Sequence, residues 1–170
     1  VFDAPVVGQV ASALGGIPVD RGTGSDAPLK AAAEALEGGE AVVILPQGTI
    51  PRGTDFFRAE LKGKPGVARL AEMTGVPVTP ISLWGTERVW PRSARLPNMV
   101  NVLRPPTVRI RVGEPLPLPA GIDEVDGTEL VMSSIFDLMP LEGKQTREPS
   151  AAELARSQPP GVDHEEIPNG

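Results

Sequence analysis

The sequence predicts an α/β fold, a single domain in which helices flank a central mixed, largely parallel sheet. Three observations lead to this prediction. Short apolar runs typical of buried strands alternate with longer segments whose apolar residues recur at helical spacing. Glycine pairs follow two of the predicted helices, where they favour a helix end. At 170 residues, the chain is long enough to form one domain with a hydrophobic core.

The first part of the chain predicts helices and strands in alternation. Apolar residues at helical spacing predict two helices, the second rich in alanine, and uninterrupted apolar runs predict strands. Ser25 or Asp26 can cap the second helix, and Pro28 suits its first turn. The elements are, in order, a helix at residues 4–14 ended by Gly15-Gly16, a strand at 17–19, a helix that ends at Glu37, and a buried strand at 41–45.

The following part, up to about residue 141, continues this pattern. Gly75 is placed to end a helix. Apolar residues and arginines alternate over residues 107–112, which predicts a strand with one apolar and one cationic face. The elements are, in order, a helix at residues 66–74, a buried strand at 76–83, the strand at 107–112, and an amphipathic helix within 122–141.

The composition changes near the end of the chain. From about Gly143 onward, apolar residues become sparse and proline, glutamate and serine dominate. We therefore expect an α/β domain at residues 1–141 and a disordered tail at 142–170. Within this tail, Ser150 and Glu153 have the spacing of a capping box, which predicts a short transient helix.

Composition and charge exclude several classes of function. The chain has no cysteine, which rules out disulfides, thiolate metal sites and a cysteine nucleophile. Its net charge of −6 argues against nucleic acid as a partner. No apolar stretch approaches the roughly 20 residues of a membrane-spanning helix. The sole histidine, His164, lies beside two glutamates in the tail, so neither a metal site nor a cofactor is expected.

Residues 46–53 predict a turn that can bind an anion. Gln47, Gly48 and Thr49 follow the predicted strand directly, and Arg52 lies three residues further on. A turn with exposed N–H groups, a hydroxyl and a guanidinium suits a phosphate ester. An ordinary strand-to-loop turn accounts for the same residues.

Two more cations occupy comparable junctions. Arg21 follows a predicted strand, and Lys64 precedes a helix whose N-terminus also favours an anion. If these junctions share one edge of the sheet, both cations lie near the 46–53 turn, although exposed surface cations are the alternative. The loop at 22–27 matches the glycine pattern of a dinucleotide site, but the next strand ends without the acid that would bind a ribose, so the glycines favour a turn.

A basic region extends from Arg88 to Arg111. It contains six arginines and no acidic residue, with Trp84 and Trp90 beside or within it. Arginine with tryptophan at its edge is suited to anionic lipid head groups, which predicts an anionic membrane surface as a partner. A solvated basic face is the open alternative. The arginines are Arg88, Arg92, Arg95, Arg104, Arg109 and Arg111.

Several short motifs occur in the order and spacing of one enzyme family. Over roughly residues 1–115, the chain resembles the glycerophospholipid acyltransferases, enzymes like 1-acylglycerol-3-phosphate acyltransferase. The motifs are Pro5-Val6-Val7-Gly8, Gly16-Ile17-Pro18-Val19-Asp20-Arg21, Pro46-Gln47-Gly48-Thr49, Lys64-x-Gly66 and Val76-Pro77-Val78-Thr79-Pro80-Ile81.

The resemblance implies a glycerol-3-phosphate acyltransferase-like fold and an acyl-transfer reaction. The acyl donor would be acyl-CoA or acyl carrier protein, and the acceptor the free hydroxyl of a lysophospholipid, lysophosphatidic acid. Arg21 and the turn around Gln47, Gly48 and Thr49 would bind the glycerol phosphate. The implied location is cytoplasmic, peripheral at the inner face of a membrane.

The sequence departs from the family pattern at three points. The catalytic His-x-x-x-x-Asp block is absent, so no catalytic residue is predicted, and the domain is expected to be incomplete at its N-terminus and inactive by itself. Gln47 replaces the usual glutamate. Ile50-Pro51 replaces the common Arg-Ser, which makes Arg52 the expected phosphate-facing arginine. The alternative to a truncated or decayed acyltransferase is a non-catalytic phosphate- or lipid-binding module.

Overall fold

The computed structural model describes residues 13, 15–17, 26–51, 53–94 and 105–158. Most of the predicted helix at 4–14 and of the predicted strand at 17–19 lies outside these residues. The elements observed are helix α1 (Ala27–Glu37), a first 3-10 helix (Gly53–Phe57), helix α2 (Gly66–Thr74), strand β1 (Ile81–Trp84), helix α3 (Thr86–Val89), strand β2 (Arg109–Val112), helix α4 (Glu124–Leu138), a second 3-10 helix (Leu141–Lys144) and helix α5 (Ala151–Ser157).

Proline and glycine set the ends of α1 and α2 as the sequence predicts. Pro28 lies in the first turn of α1, and the N–H of Gly38 donates to Glu34 O at 2.9 Å. Gly75 ends α2 in the left-handed conformation, with φ 67°, and its N–H donates to Ala71 O at 2.8 Å. Glycine adopts this conformation without the steric cost of a Cβ atom. The predicted end of α2 is therefore confirmed.

The N-cap of α1 differs from the expected capping interaction. Asp26 occupies this position, but its carboxylate accepts no hydrogen bond from the first turn. It accepts instead from Arg69 Nη2 of α2 at 3.1 Å, and Arg69 Nε lies 3.3 Å from Glu124 Oε1 of α4. The two ion pairs connect α1, α2 and α4 at the surface, where each contributes little to stability.

The core lies where the helices meet. Small side chains allow α1 and α2 to pack closely around Leu70, which is 4% exposed. Gly127 of α4 serves the same purpose, because a Cβ atom there would lie only 3.0 Å from the Cβ of Ala68. The cluster consists of Ala32, Ala33 and Leu70, with Ile17, Leu29, Leu36, Val42 and Ile44 packed against it.

Strands β1 and β2 form a two-stranded antiparallel sheet. The register pairs Ile81 with Val112 and Trp84 with Arg109. Both strands overlap segments in which the sequence predicts a strand, although each is shorter than predicted. The predicted alternation in β2 is confirmed, since Arg109 and Val112, three residues apart in one strand, lie on opposite faces of the sheet.

The described residues do not form the largely parallel sheet that the sequence predicts. Their sheet is small and antiparallel, and helices provide most of the regular structure. Residues 41–45 form neither a helix nor a strand in the part of the chain that the structure describes. Val42 and Ile44 pack against the helices, whereas Val43 and Leu45 are 86% and 77% exposed. The expectation of a buried strand is therefore wrong, because two of its apolar side chains are exposed and none of the described residues pairs with it as a strand.

Residues after α4 return to the domain. Gly143 is buried against Trp84, since a Cβ atom at this glycine would lie 2.7 Å from the indole. Helix α5 begins at the predicted capping box, in which Ser150 Oγ accepts from Glu153 N at 3.4 Å and Glu153 Oε2 accepts from Ser150 N at 3.0 Å. Part of the predicted tail thus forms a helix, while the predicted domain boundary at residue 141 stays a prediction.

Arg147 connects this C-terminal segment to the first 3-10 helix. Its backbone N–H donates to Phe57 O at 3.2 Å, and its guanidinium lies 4.8 Å from the centroid of the Phe57 ring. The same guanidinium lies 2.8 Å from Glu153. The pKa of Glu153 is lowered from 4.5 to about 2. The largest cause is the hydrogen bond from Arg147, and the next are the hydrogen bonds from the N–H and the hydroxyl of Ser150.

Candidate functional site

The predicted anion-binding residues lie in a well-defined β-turn. Gly48 N donates to Leu45 O at 3.1 Å, which places Pro46 and Gln47 at the central positions of the turn. Proline suits the first of these positions because its ring fixes φ. Gly48 has φ 66°, a left-handed conformation that favours glycine. The turn continues through exposed Thr49 to residue 51, and we refer to residues 46–51 as the Pro46–Pro51 turn.

Lys64 lies directly against this turn. Its backbone N–H donates to Pro46 O at 2.7 Å. Its side chain passes Gly48 so closely that a Cβ atom at residue 48 would lie 3.4 Å from Lys64 Cγ. Lys64 is itself exposed, and α2 begins two residues later. The structure thus brings together Gln47, Gly48, Thr49 and Lys64, and their role in binding remains a prediction.

Three other residues singled out in the sequence are not described by the structure. Arg21 and Arg52, the two arginines expected to face a phosphate, lie outside the described residues. His164 does too. The arrangement around the turn is therefore described for one predicted cation, Lys64.

The sequence did not identify Arg92 as a neighbour of the turn. Its Nη1 donates to Ile50 O at 3.1 Å and to Pro51 O at 2.8 Å. We expected Arg92 to face lipid head groups together with the other arginines of its region. It instead directs a guanidinium nitrogen at the end of the Pro46–Pro51 turn, across a separation of more than forty residues along the chain.

The other described arginines of the basic region also contact the protein. Arg88 Nε lies 3.7 Å from Glu87 of the same helix, and Arg109 Nη1 lies 3.6 Å from Glu142. Arg111 donates to Leu138 O at 3.3 Å. Arg95 and Arg104 lie outside the described residues. Since these contacts are at the surface, an anionic membrane partner stays a prediction.

Exposed apolar side chains occur next to the turn in the sequence and on the sheet. Leu45 directly precedes the turn and is 77% exposed. On the sheet, Ile81 and Leu83 of β1 lie opposite Val112 and Ile110 of β2, and all four side chains are 44% to 63% exposed. Arg109 and Arg111 lie on the opposite face, so the apolar and cationic surfaces of the sheet are separate.

A shallow depression of about 450 Å³ lies away from the predicted site residues, between β2 and the residues after α4. Arg109, Arg111 and Lys144 line it together with Asp137 and Glu142, so its charges are largely balanced. Within the described ranges, no group of three histidine, cysteine or acidic residues could bind a metal ion. No described helix is long and apolar enough to cross a membrane.

The described arrangement is suited to binding more than to proton transfer. The Gly48 N–H already donates to Leu45 O, but the N–H groups of Gln47, Thr49 and Ile50 are donors. Together with the Thr49 hydroxyl and the Lys64 ammonium, they are of the type that matches a phosphate's oxygen atoms. A general base for a hydroxyl needs a pKa near neutrality, as a histidine has. The described residues include no histidine, and Glu153, whose pKa is lowered to about 2, lies in α5.

Comparisons with known proteins agree with the motif resemblance. The family model described as Acyltransferase matches residues 1–84. Over 118 residues, the chain is 30% identical to a chloroplastic 1-acyl-sn-glycerol-3-phosphate acyltransferase from Brassica napus. This match covers 68% of the chain and 32% of the relative, so the chain spans about a third of that relative's length. No solved structure is significantly similar to the chain.

Proposed function

Because the chain belongs to the acyltransferase family, we propose that it serves phospholipid synthesis by binding 1-acylglycerol 3-phosphate as the acyl acceptor. The donor would be acyl-CoA or acyl carrier protein. The thioester bond of the donor breaks, an ester forms at the free hydroxyl of the acceptor, and the hydroxyl proton passes to the released thiol. The name of the Brassica napus relative supports this choice of acceptor.

The position of Lys64 against Gly48 carries this proposal. The backbone and Cγ of this lysine lie against the Pro46–Pro51 turn, and an ammonium on that side chain together with the turn's hydroxyl suits the phosphate of the acceptor. Gln47 offers hydrogen bonds without the negative charge of a glutamate, which suits an anionic ligand. Arg21 and Arg52 are proposed as further ligands of the same phosphate.

The test is a titration of the protein with sn-glycerol 3-phosphate, followed by NMR or calorimetry. The variant Lys64→Met keeps the aliphatic stem and removes the charge, so we expect roughly fivefold weaker binding or more. Lys62→Met is the matched control, since Lys62 is exposed two residues away. Equal affinities for wild type and Lys64→Met would contradict the proposal, as would the absence of binding to wild type.

Acyl transfer by these 170 residues alone is not expected. The acceptor hydroxyl needs a base, and the one histidine of the sequence, His164, follows the turn instead of preceding it in a His-x-x-x-x-Asp block. Incubation with acyl-CoA and lysophosphatidic acid measures this directly. Product above the background without protein would overturn this part of the proposal.

A second candidate function is a non-catalytic module that binds phosphate or anionic lipid at the inner, cytoplasmic face of a membrane. The exposed arginines between Arg88 and Arg111 favour it. Sedimentation with anionic vesicles separates the two functions. Salt-sensitive binding that is lost when Arg88 and Arg95 are replaced, while glycerol 3-phosphate has no effect, would favour the module. Arg92 is left unchanged in that experiment because it contacts the Pro46–Pro51 turn.

A further inference from the structure

The guanidinium of Arg92 contacts the last two carbonyls of the Pro46–Pro51 turn. A single nitrogen, Nη1, donates to Ile50 O at 3.1 Å and to Pro51 O at 2.8 Å. Arg92 is half-buried there. Hydrogen bonds from a charged donor are shorter and stronger than those between neutral groups. The contact therefore stabilises one conformation of these carbonyls, with the charge of the arginine close to the turn.

The segment that carries Arg92 makes local contacts of its own. α3 follows β1 after Gly85, which has φ 94° and lies so close to the segment before β2 that a Cβ atom would be 2.6 Å from Thr107 O. The Trp90 indole N–H donates to Ala94 O at 3.0 Å and thereby closes the loop over residues 90–94. These contacts fix where the guanidinium of Arg92 can reach.

The turn is thus constrained at both of its ends. Lys64 N donates to the carbonyl of Pro46 at the first residue, and Arg92 donates to the carbonyl of Pro51 at the last. Gln47, Gly48 and Thr49 lie between these fixed points. A binding loop that is already ordered loses less conformational entropy when a ligand binds, which raises affinity.

We propose that Arg92 is a positioning residue, which orders the Pro46–Pro51 turn and adds positive charge beside it for an anionic phosphate ligand. This inference rests on the proposed function, because it assumes that the turn binds a phosphate ester. It assigns to Arg92 a role separate from the lipid-facing arginines with which its sequence position groups it.

The test compares Arg92→Met with Arg58→Met in the full chain. Both changes remove one guanidinium, but Arg58 pairs with Asp55 of the first 3-10 helix at an exposed position. Glycerol 3-phosphate affinity is measured by NMR titration, and backbone hydrogen exchange of residues 47–50 is measured without ligand. We expect Arg92→Met to weaken binding about tenfold and to speed this exchange, and Arg58→Met to change neither. Arg92→Lys, which keeps a charged donor, should recover part of both.

The outcomes distinguish this inference from the function on which it rests. If wild type binds glycerol 3-phosphate and Arg92→Met binds it equally well, the inference is wrong and the proposed function stands. Unchanged exchange at residues 47–50 in Arg92→Met would also overturn it. If wild type does not bind glycerol 3-phosphate, the proposed function fails and the inference fails with it. A folded state in each variant is verified by the amide spectrum of α2, which lies outside the contact.

Discussion

The helical core and the β1–β2 sheet bury their apolar residues to very different extents. Leu70 of α2 is 4% exposed, whereas Leu83 of β1 is 51% exposed and Ile110 of β2 62%. A helix satisfies its backbone hydrogen bonds internally and buries its apolar side by packing against neighbouring helices. For α2, these neighbours are α1 and α4. A two-stranded sheet buries its apolar face only when a further layer covers it. Within the described residues, the helices therefore bury their apolar side chains among themselves, whereas the sheet leaves one apolar face exposed.

The largest effect is expected from matched leucine truncations in these two regions. Leu70→Ala removes a buried side chain and should lower the free energy of unfolding by about 2–4 kcal/mol. Leu83→Ala removes a half-exposed one and should cost less than about 1 kcal/mol. Urea unfolding followed by circular dichroism measures both. Similar losses of unfolding free energy in the two variants would contradict this expectation, since they would mean that the apolar face of the sheet is covered in solution.

Local signals made the helices predictable. The bounds of α2 follow from its apolar spacing and from Gly75, and the start of α5 follows from the Ser150 and Glu153 capping box. These signals act within one helical turn and need no distant partner. Lys64 also lies near the Pro46–Pro51 turn as expected, but the shared sheet edge from which this was predicted is not formed by the described residues.

Tertiary partners were not predictable in the same way. Nothing near Arg92 in the sequence indicates that its guanidinium contacts Ile50 and Pro51. The burial of residues 41–45 was predicted from an apolar run, but a run states only that its side chains are apolar. Which of them lie against helices, as Val42 does, and which stay exposed, as Val43 does, depends on the neighbouring layers.

An effect of intermediate size is expected from the glycine that ends α2, which tests a local signal directly. Gly75→Ala places a Cβ atom at φ 67°, and should cost roughly 1–2 kcal/mol although no atom lies within 4 Å of the added methyl. Gly66→Ala at the start of α2 is the control, since its nearest neighbour is Leu29 Cδ2 at 3.9 Å. Thermal unfolding should show this control to be neutral or slightly stabilising. A loss as large in Gly66→Ala would argue against the backbone explanation.

The smallest effect concerns the C-terminal segment, which depends on charge more than on burial. Because Arg147 and Ser150 lower the pKa of Glu153 to about 2, its stabilising contribution is present above pH 4.5 and is lost as the pH falls towards 2. The side-chain carboxyl shift of Glu153, followed by NMR from pH 7 to pH 1.5, measures the pKa. Arg147→Met should move this pKa back towards 4.5.

An unchanged pKa in Arg147→Met would contradict the assigned cause. Arg156→Met is the matched control, because Arg156 is an exposed arginine of the same helix whose side chain is not among the causes of the shift. The Leu70 core should remain folded through the upper part of this titration, which separates local loosening of α5 from global unfolding.

The burial of Gly143 against Trp84 gives the molecule an optical property. The chain contains two tryptophans, and the other, Trp90, is 55% exposed. Since Gly143 lies against the Trp84 indole and solvent reaches that of Trp90, the emission spectra of the two tryptophans should differ in wavelength. In the Trp90→Phe variant, a red shift of the Trp84 emission during unfolding would show that the residues after α4 have separated from Trp84.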